Sequence, residues 1–328
     1  MNYKPLIIVM GEPYSIFLEI FLKSYKIFIK TKMKVPVILI GSKNQLMKQM
    51  NFFKYKFKVK LLDLNFNLHN LNNNEINVIN VDLKSNKTFV KNHKHSNLYI
   101  EKCFVTAINL LTQKKAGGII NGPVSKAKFL KKRFAGITEY ISHKTRCKNT
   151  SMLIFNEKLS VSPLTTHVPL KKVTRKITKE KIIKKVILLN DFYEKVIKKK
   201  AKIAVMGLNP HCETTDKFSE ENKIISPAIM KLKSMKININ GPFSSDTFFL
   251  RENYKNFNLV LGMYHDQVLT PIKTLFNFDA INITVGLPFL RITPDHGPNE
   301  SMVKKNLSNP LSLIKSLIFF KKYYENNS

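Results

Sequence analysis

The sequence predicts an α/β fold with a largely parallel sheet. Several short apolar runs rich in β-branched residues end abruptly in Gly, Asn, Pro or His. Runs of this length are typical of strands buried on both faces of a sheet. Helical patterns lie between some of them, an alternation that indicates parallel strands joined by helices. The runs are LIIVMGEP (6–13), VPVILIGS (35–42), GGIINGPVSK (117–126), KIAVMGLNPH (202–211), LVLGMYHD (259–266) and INITVGLPF (281–289).

The clearest helical pattern covers residues 177–200, ITKEKIIKKVILLNDFYEKVIKKK. Thr178 is a suitable N-cap, because its hydroxyl can accept a hydrogen bond from the first helical turn. Apolar residues then recur on one face, with lysines on the opposite face. The pattern therefore predicts a helix that packs on the core and has a solvated charged side. The apolar positions are Ile182, Ile183, Val186, Leu189, Tyr193, Val196 and Ile197.

The chain of 328 residues is longer than a single core usually organises, so two subdomains around a shared cleft are expected. No apolar run approaches the roughly 20 residues that span a bilayer. The N-terminal apolar stretch has strand length and no small-residue cleavage site, so it does not resemble a signal peptide. The three cysteines are odd in number and unclustered, which argues against a disulfide framework and a cysteine-ligated zinc site. The sequence predicts a cytoplasmic protein without a membrane segment.

The formal net charge of +33 suggests a polyanionic partner, because a large positive field concentrates nucleic acids and anionic surfaces. Lysines are spread along the whole chain, however, and Lys, Asn and Ile are all abundant, as an AT-biased coding sequence produces. There is no basic tail and no recognisable nucleic-acid module. We therefore expect no nucleic-acid partner, and a basic nucleic-acid-binding protein without catalysis is the distant alternative.

Three predicted strands lead into a histidine, in TTHVPL (His167), GLNPHCE (His211) and MYHDQ (His265). In an α/β sheet, ligands bind where the chain leaves the carboxyl ends of the strands. Three neutral imidazoles that leave coordination positions open are typical of a catalytic zinc, cobalt, nickel or iron site. Because the three histidines are far apart in sequence, no local motif ensures that they meet at one site. Isolated histidines at strand ends often bind no metal.

Residues suited to an anionic substrate follow the third histidine. Lys273 lies eight residues beyond His265, and Arg291 ends the segment GLPFLR. Asn282 lies inside an apolar run, where an amide without a partner is costly. Lysine and arginine near a metal indicate a phosphate or carboxylate group on the substrate. No strand is followed by G-x-G-x-x-G, and the GxSxG and Walker A patterns are absent, which argues against Rossmann, hydrolase and P-loop sites.

These segments, taken together, closely resemble the 4-hydroxythreonine-4-phosphate dehydrogenase (PdxA) family of vitamin B6 biosynthesis. The resemblance extends from about residue 6 to residue 300. It implies an isocitrate/isopropylmalate dehydrogenase-like fold, not a Rossmann fold, with one subdomain near 1–125 and 275–328 and the other near 126–274. The matching segments are NGPVSK, GITEY, TTHVPL, GLNPHCE, GPFSSDTFF, MYHDQVLTPIK, NITVGLPFLR and DHG.

The resemblance also implies an activity. It is the oxidation of 4-phosphooxy-L-threonine with NAD, or with NADP as the alternative, followed by decarboxylation of the β-keto acid. A homodimer with its site near the interface and one zinc, cobalt or magnesium ion per site are implied as well. The implied residues are the metal ligands His167, His211 and His265, the substrate-binding residues Thr138, Lys273, Asn282 and Arg291, and the cofactor-binding residues Asp295, His296 and Gly297. Asp246 and Asp266 are candidates for the general base, or orient a ligand histidine.

Two departures from the family pattern bear on specificity. The family's GHTE segment is GITE here, so Ile137 replaces a histidine that contacts substrate. One substrate contact is lost unless His143 or another group substitutes for that histidine. The glycine-rich opening GDPAGIGPEI is GEPYSIFLEI, with Ser15, Phe17 and Leu18 at positions where the family has Gly, Gly and Pro. These changes keep open a second enzyme function, on another four-carbon phosphorylated hydroxy acid such as phosphothreonate or phosphoerythronate.

Overall fold

A computed structural model describes residues 3–91, 95–130, 133–134, 136–212, 215–277, 279–294 and 296–324. The strands of this part of the chain are β1 (Leu6–Val9), β2 (Val37–Gly41), β3 (Val59–Leu61), β4 (Ile76–Asn80), β5 (Gly118–Asn121), β6 (Ser151–Phe155), β7 (Ser160–Thr165), β8 (Ile203–Met206), β9 (Ile239–Phe243), β10 (Leu259–Tyr264), β11 (Ile281–Val285) and β12 (Leu290–Thr293). Its α-helices are α1 (Phe17–Ser24), α2 (Lys30–Lys32), α3 (Lys43–Phe52), α4 (Ser96–Thr112), α5 (Ile137–Lys144), α6 (Lys179–Phe192), α7 (Ser226–Ser234), α8 (Ser245–Phe248), α9 (Arg251–Tyr254), α10 (His265–Phe276) and α11 (Leu311–Tyr324).

The chain divides into two compact units. One comprises residues 1–148 and 287–328, and the other comprises residues 149–286. The sequence analysis placed this division near residues 125 and 274. In the structure α5 therefore belongs to the discontinuous unit, and β11 belongs to the unit of residues 149–286. No helix of the described residues is long and apolar enough to cross a membrane.

The discontinuous unit contains a parallel sheet with the strand order β3-β4-β2-β1-β5-β12. Every residue of β1, β2 and β5 is buried, which agrees with the near-continuous apolar runs in the sequence. The core on one side of this sheet includes α4, whose Tyr99, Ile100, Cys103 and Phe104 pack against Ile7 and Ile38. The carboxyl ends of β1, β5 and β12 therefore open at the same edge of the sheet.

The continuous unit contains the strand order β11-β6-β7-β10-β8-β9. The pairs β7-β10, β10-β8 and β8-β9 are parallel, whereas β6 is antiparallel to both β7 and β11. This mixture confirms the predicted largely parallel sheet. The carboxyl ends of β7, β8, β9 and β10 meet at one edge, where parallel α/β sheets bind their ligands.

The helix predicted at residues 177–200 is confirmed by α6 and a π-helical turn that extends it to Ile197. The Thr178 hydroxyl accepts a hydrogen bond from the Lys181 backbone N–H at 3.3 Å, as expected for an N-cap. Ile182, Val186 and Leu189 are fully buried, so the apolar face packs on the core as predicted.

The sequence analysis identified no helix beginning between residues 43 and 100, whereas the described residues of this range begin two α-helices, α3 and α4. In α3 the inward face carries Gln45 and Gln49 as well as Leu46 and Met50, and all four are buried. Two buried amides interrupt the apolar periodicity by which an amphipathic helix is recognised. The N-cap Ser42, which accepts from the Gln45 N–H at 3.2 Å, was the remaining signal.

Candidate active site

The three candidate histidines leave the same sheet edge in the unit of residues 149–286. His167 follows β7 by two residues, His211 lies in the loop after β8, and His265 is the first residue of α10, directly after β10. His167 and His211 both have a positive φ, 50° and 54°, which is uncommon for a residue with a side chain. Such backbone strain is concentrated at functional sites. The topology therefore brings together residues that are far apart in sequence.

Two of these imidazoles approach one another. The ring centroids of His167 and His265 are 6.3 Å apart, with an angle of 34° between the ring planes. Rings that bind one tetrahedral zinc through nitrogens at about 2.0–2.1 Å would have centroids roughly 5 Å apart. The two rings are thus neighbours, slightly further apart than a shared ion requires.

Two histidines of this edge each have a carboxylate at the Nδ1 atom. His265 Nδ1 lies 2.6 Å from Asp266 Oδ1, and His211 Nδ1 lies 3.6 Å from Asp246 Oδ2. A carboxylate on one ring nitrogen fixes the tautomer and turns the other nitrogen, Nε2, toward a metal. The hydrogen bond from Ser244 lowers the pKa of Asp246, so this side chain remains a carboxylate at neutral pH.

The donor set suits a divalent transition metal, but its members do not all lie within reach of one ion. Imidazole nitrogens with carboxylates on their other ring nitrogen are ligands that zinc and cobalt prefer. Within the described ranges, no group of three His, Cys, Asp or Glu residues lies close enough to hold an ion.

The loop that carries His211 is held by a buried carboxylate. Glu221 accepts hydrogen bonds from the backbone N–H groups of Leu208 and Asn209 at 2.6 and 2.8 Å, and from the Asn209 side-chain amide at 2.8 Å. Glu221 has no exposed surface, and these donors supply hydrogen bonds to both of its carboxylate oxygens inside the protein. The arrangement fixes the two residues that lead into Pro210 and His211.

The other two substrate candidates of this unit differ in environment. Lys273 lies on the exposed side of α10, and the helical rise places its α-carbon about 12 Å along the axis from that of His265. Asn282 is half-buried in β11, and its Oδ1 atom is buried without a hydrogen-bond partner in the described part of the chain. An orphaned buried acceptor of this kind needs a donor from elsewhere, and a ligand can supply it.

In the other unit, Arg291 and Thr138 are in direct contact. The Arg291 guanidinium is buried, with 1% of its surface exposed, and donates from Nη1 to Thr138 Oγ1 at 2.8 Å and from Nε to Asn121 Oδ1 at 2.9 Å. Burial lowers the pKa of Arg291 to about 9, so the group keeps its charge at neutral pH. The nearby Glu139 raises this pKa. A buried guanidinium whose donors are oriented in this way is suited to bind an anionic group.

The departures from the family pattern have structural counterparts. Ile137 is the first residue of α5 and packs, partly buried, against the apolar core of its unit. His143 lies near the opposite end of α5, exposed, with its ring 5.3 Å from that of Phe134. His143 therefore does not take the position that the family's histidine has at residue 137.

The predicted cofactor loop is described only in part. Asp295 lies outside the described residues. The His296 ring lies 6.1 Å from the Phe17 ring, and its Nδ1 is 3.2 Å from the Gly297 carbonyl oxygen. Gly297 is exposed, and a Cβ added there would meet no atom within 4 Å. The segment therefore lies next to the opening of α1, with free space around its glycine.

Comparison with known proteins identifies the family. The family model described as "Pyridoxal phosphate biosynthetic protein PdxA" matches residues 32–319. The chain belongs to this family. The resemblance found in the sequence is thereby confirmed, and the chain is an oxidoreductase.

Individual members of the family are similar over nearly the whole chain. The 4-hydroxythreonine-4-phosphate dehydrogenase of a Sulfurihydrogenibium species is 37% identical over 95% of this chain and 96% of its own. A Klebsiella pneumoniae structure of 4-hydroxythreonine-4-phosphate dehydrogenase matches with a TM-score of 0.83 and 25% identity, covering 98% of this chain and 99% of that chain. A relative in Oceanobacillus iheyensis, named for D-threonate 4-phosphate dehydrogenase activity, is 35% identical over 64% of this chain and 65% of its own.

Some candidate residues were not recognisable from their own sequence context. Asn121 contacts Arg291, and the only signal in the sequence was an amide at the end of an apolar run. Glu221 lies in a charged stretch, EEN, in which nothing distinguishes a buried carboxylate from its exposed neighbours. Asn121 contacts a residue 170 positions away, and Glu221 contacts residues 13 and 12 positions away. A local sequence pattern does not show contacts at these separations.

Proposed function

We propose that this chain catalyses the nicotinamide-dependent oxidation of 4-phosphooxy-L-threonine to 2-amino-3-oxo-4-phosphooxybutanoate. The substrate carbon that bears the hydroxyl loses a hydride to NAD⁺, and the hydroxyl loses its proton. The β-keto acid then loses carbon dioxide and leaves 3-amino-2-oxopropyl phosphate. Family membership and the names of the similar dehydrogenases support this reaction, as part of pyridoxine 5'-phosphate biosynthesis.

The observation that carries the proposal is the buried Arg291. A charged guanidinium inside a protein costs several kcal/mol of desolvation unless anions or strong acceptors compensate. Its Nε and Nη1 donors are already oriented by Asn121 and Thr138, so the plane of the group is fixed before substrate arrives. Arg291 with Thr138 would bind an anionic group of a phosphorylated hydroxy amino acid, because a guanidinium with oriented donors recognises phosphate and carboxylate.

In the unit of residues 149–286, His167, His211 and His265 would hold a divalent ion. When bound, zinc, cobalt or magnesium lowers the pKa of a coordinated hydroxyl and stabilises the oxygen anion formed as carbon dioxide leaves. Asp246 and Asp266 would orient His211 and His265 through Nδ1, which the distances favour over a role as general base. The low pKa of Asp246 also makes it a weak base.

The remaining residues have binding roles in this proposal. Lys273 would contact an anionic end of the substrate, and Asn282 would accept a hydrogen bond through its orphaned Oδ1. Asp295, His296 and Gly297 would lie beside the nicotinamide dinucleotide. We further propose that the protein acts as a cytoplasmic homodimer with one metal ion per site.

The test is reduction of NAD⁺ by purified protein supplied with 4-phosphooxy-L-threonine, with and without a chelator and with added zinc, cobalt or magnesium. We expect metal-dependent turnover. Arg291→Met should raise KM about 10- to 100-fold, because it removes charge-assisted hydrogen bonds to the substrate. Arg146→Met, at an exposed arginine of the same unit, is the matched control and should leave KM unchanged. Folded, metal-bound protein that reduces no NAD⁺ with this substrate would refute the proposal.

A second candidate activity is favoured by Ile137. An apolar residue next to Thr138 removes one polar contact from the first turn of α5, which changes which substituent of a four-carbon phosphate is recognised. The similarity to the Oceanobacillus iheyensis protein points to D-threonate 4-phosphate. A side-by-side comparison of kcat/KM for 4-phosphooxy-L-threonine, phosphothreonate and phosphoerythronate separates these activities.

A further inference from the structure

Phe17, the first residue of α1, is buried where the opening segment of the chain meets the loop of residues 296–298. Its side chain has no exposed surface, and the family pattern GDPAGIGPEI has glycine at the corresponding position. The centroid of its ring lies 6.1 Å from that of His296, with an angle of 36° between the ring planes. Ring pairs at this separation pack favourably. The 296–298 loop therefore rests on a side chain that a glycine could not supply.

Backbone hydrogen bonds join the same two segments. The Ile16 N–H, directly before Phe17, donates to the Pro298 carbonyl oxygen at 3.1 Å. The Ser15 hydroxyl donates to the Glu12 carbonyl oxygen at 2.8 Å and accepts from the Phe17 N–H at 3.3 Å. These bonds fix the backbone at the start of α1, so the ring is held at a defined place beside the loop.

Phe17 also contacts the loop that follows β5. A Cβ added at Gly122 would lie 2.8 Å from Phe17 Cδ1, closer than two carbon atoms can approach, so the ring fits because residue 122 is glycine. Strand β1 pairs with β2 on one side and with β5 on the other, so the order of the sheet changes direction between β1 and β5. Open α/β sheets bind their ligands at such a point, outside the carboxyl ends of the strands.

The 296–298 loop has open space at its glycine. Gly297 is exposed, and an added Cβ would meet no atom within 4 Å. A ligand can approach the backbone closely at such a position. The loop is thus supported by Phe17 at His296 and accessible at Gly297, so the place that it offers to a ligand depends on the buried ring.

We propose that Phe17 is a positioning residue that holds the 296–298 loop in the conformation that binds the nicotinamide dinucleotide. The inference rests on the cofactor role proposed above for His296 and Gly297. Phe17 does not touch the dinucleotide itself, because its side chain has no exposed surface. Without the ring, the loop would have to be ordered when the dinucleotide binds, and that ordering reduces affinity.

The experiment measures the Kd of NADH and of NADPH by fluorescence titration of purified protein with zinc present, and records thermal unfolding for each variant. Phe17→Leu removes the ring and keeps an apolar side chain. The matched control is Phe21→Leu, one turn later on α1, where the side chain is also buried and its ring centroid lies 6.1 Å from that of Tyr25. Both variants lose one buried ring pair, but the ring partner of Phe17 belongs to the 296–298 loop, whereas that of Phe21 lies four residues further along the chain.

For the dinucleotide that wild type binds, we expect Phe17→Leu to weaken the Kd about 3- to 10-fold. Phe21→Leu should retain the wild-type Kd despite a comparable loss of thermal stability. Phe17→Met, which retains more of the side-chain volume, covers the case in which Phe17→Leu does not fold, and should also weaken the Kd. An unchanged Kd in a folded Phe17 variant, or an equal loss in Phe21→Leu, overturns the inference. Wild-type protein that binds neither dinucleotide would instead refute the nicotinamide-dependent function itself.

A double-mutant cycle then tests whether Phe17 acts through His296. His296→Leu removes the second ring of the pair. If Phe17 acts through this ring, Phe17→Leu should change the Kd by a smaller factor in the His296→Leu protein than in wild type. Two factors that multiply as independent effects would show that Phe17 does not position the loop through His296, and would overturn the inference.

Discussion

At the scale of single residues, Lys185 shows how a charged side chain can donate hydrogen bonds to the backbone carbonyls of a strand. Strand β7 pairs with β6 at Val161, and beyond that pair the carbonyls of Pro163 and Leu164 accept hydrogen bonds from the Lys185 ammonium at 3.0 and 3.3 Å. The side chain is half-buried. Burial lowers the pKa of Lys185 to about 8.

This pKa gives the free energy of unfolding a predictable pH dependence. Between about pH 8 and the ordinary pKa of 10.5, the unfolded chain carries the proton on Lys185 more often than the folded chain. Stability rises with pH wherever the unfolded state binds more protons, so wild-type protein should gain stability over Lys185→Met from pH 7.5 to 9.5. Chemical denaturation of both proteins across this range is the measurement.

Lys184→Met serves as the control for Lys185, because Lys184 is the preceding residue on the same helix and is exposed. Its stability curve should run parallel to that of wild type. A constant difference between wild type and Lys185→Met over the whole range would contradict the assignment of the shifted proton to Lys185.

The sequence located some single residues by their position at strand ends, and the roles assigned to them stay predictions. His167, His211 and His265 were predicted from strand ends, and the structure does place all three at one sheet edge. Lys185 was not predicted, because its role depends on the backbone carbonyls that fold against it. A polar side chain with an apolar stem has the same local pattern whether it is exposed or buried.

At the scale of elements, the N-cap of α6 has a measurable effect. Thr178→Ala removes the hydroxyl that accepts from the Lys181 N–H, so one N-terminal donor of the helix loses its partner. Such substitutions typically cost about 1 kcal/mol, and we expect that decrease in the free energy of unfolding in urea.

The appropriate comparison is Thr112→Ala, at the last turn of α4. The Thr112 hydroxyl donates back to the Ile108 and Asn109 carbonyls of its own helix, which contributes little to stability. This variant should change the free energy of unfolding by less than about 0.5 kcal/mol. Equal losses in the two variants would mean that the cap of α6 has no particular importance.

Helices differed in how well the sequence revealed them, for a physical reason. In α6 the buried face is apolar throughout and the exposed face is lysine-rich, so its period is visible. In α3 the buried Gln45 donates to the Pro13 carbonyl at 2.7 Å, and the buried Gln49 donates to the Thr88 carbonyl at 3.1 Å. These amides donate hydrogen bonds to backbone carbonyls of neighbouring loops. As a result, a buried helix face appears polar in the sequence.

At the scale of the whole molecule, the charge balance is the dominant feature. The chain has 55 Lys and Arg against 22 Asp and Glu, a formal net charge of +33. Self-repulsion of like charges destabilises a compact state, and salt reduces it. The Debye length falls from about 30 Å at 0.01 M to about 8 Å at 0.15 M salt.

We therefore expect Tm to rise by a few degrees between 10 and 150 mM NaCl, a stabilisation of about 1 kcal/mol. Differential scanning calorimetry at constant pH measures the shift. KCl at the same ionic strength should give the same increase, since screening depends on ionic strength and not on the identity of the cation. A Tm that stays constant or falls over this range would show that charge repulsion does not limit the stability of this protein.

The discontinuous unit has a consequence for the order in which the protein is made. Asn121 and Thr138 precede their partner Arg291 by 170 and 153 residues, and residues 149–286 form a compact unit of their own. A ribosome that adds about 5–20 residues per second would need roughly 8 to 30 s to synthesise the intervening chain. During that interval the β1-β5 edge is without β12, and a nascent chain would be most exposed there to proteolysis and to pairing with other strands. Arg291, which we propose to bind an anionic group of the substrate, is thus among the last parts of the molecule to reach its place.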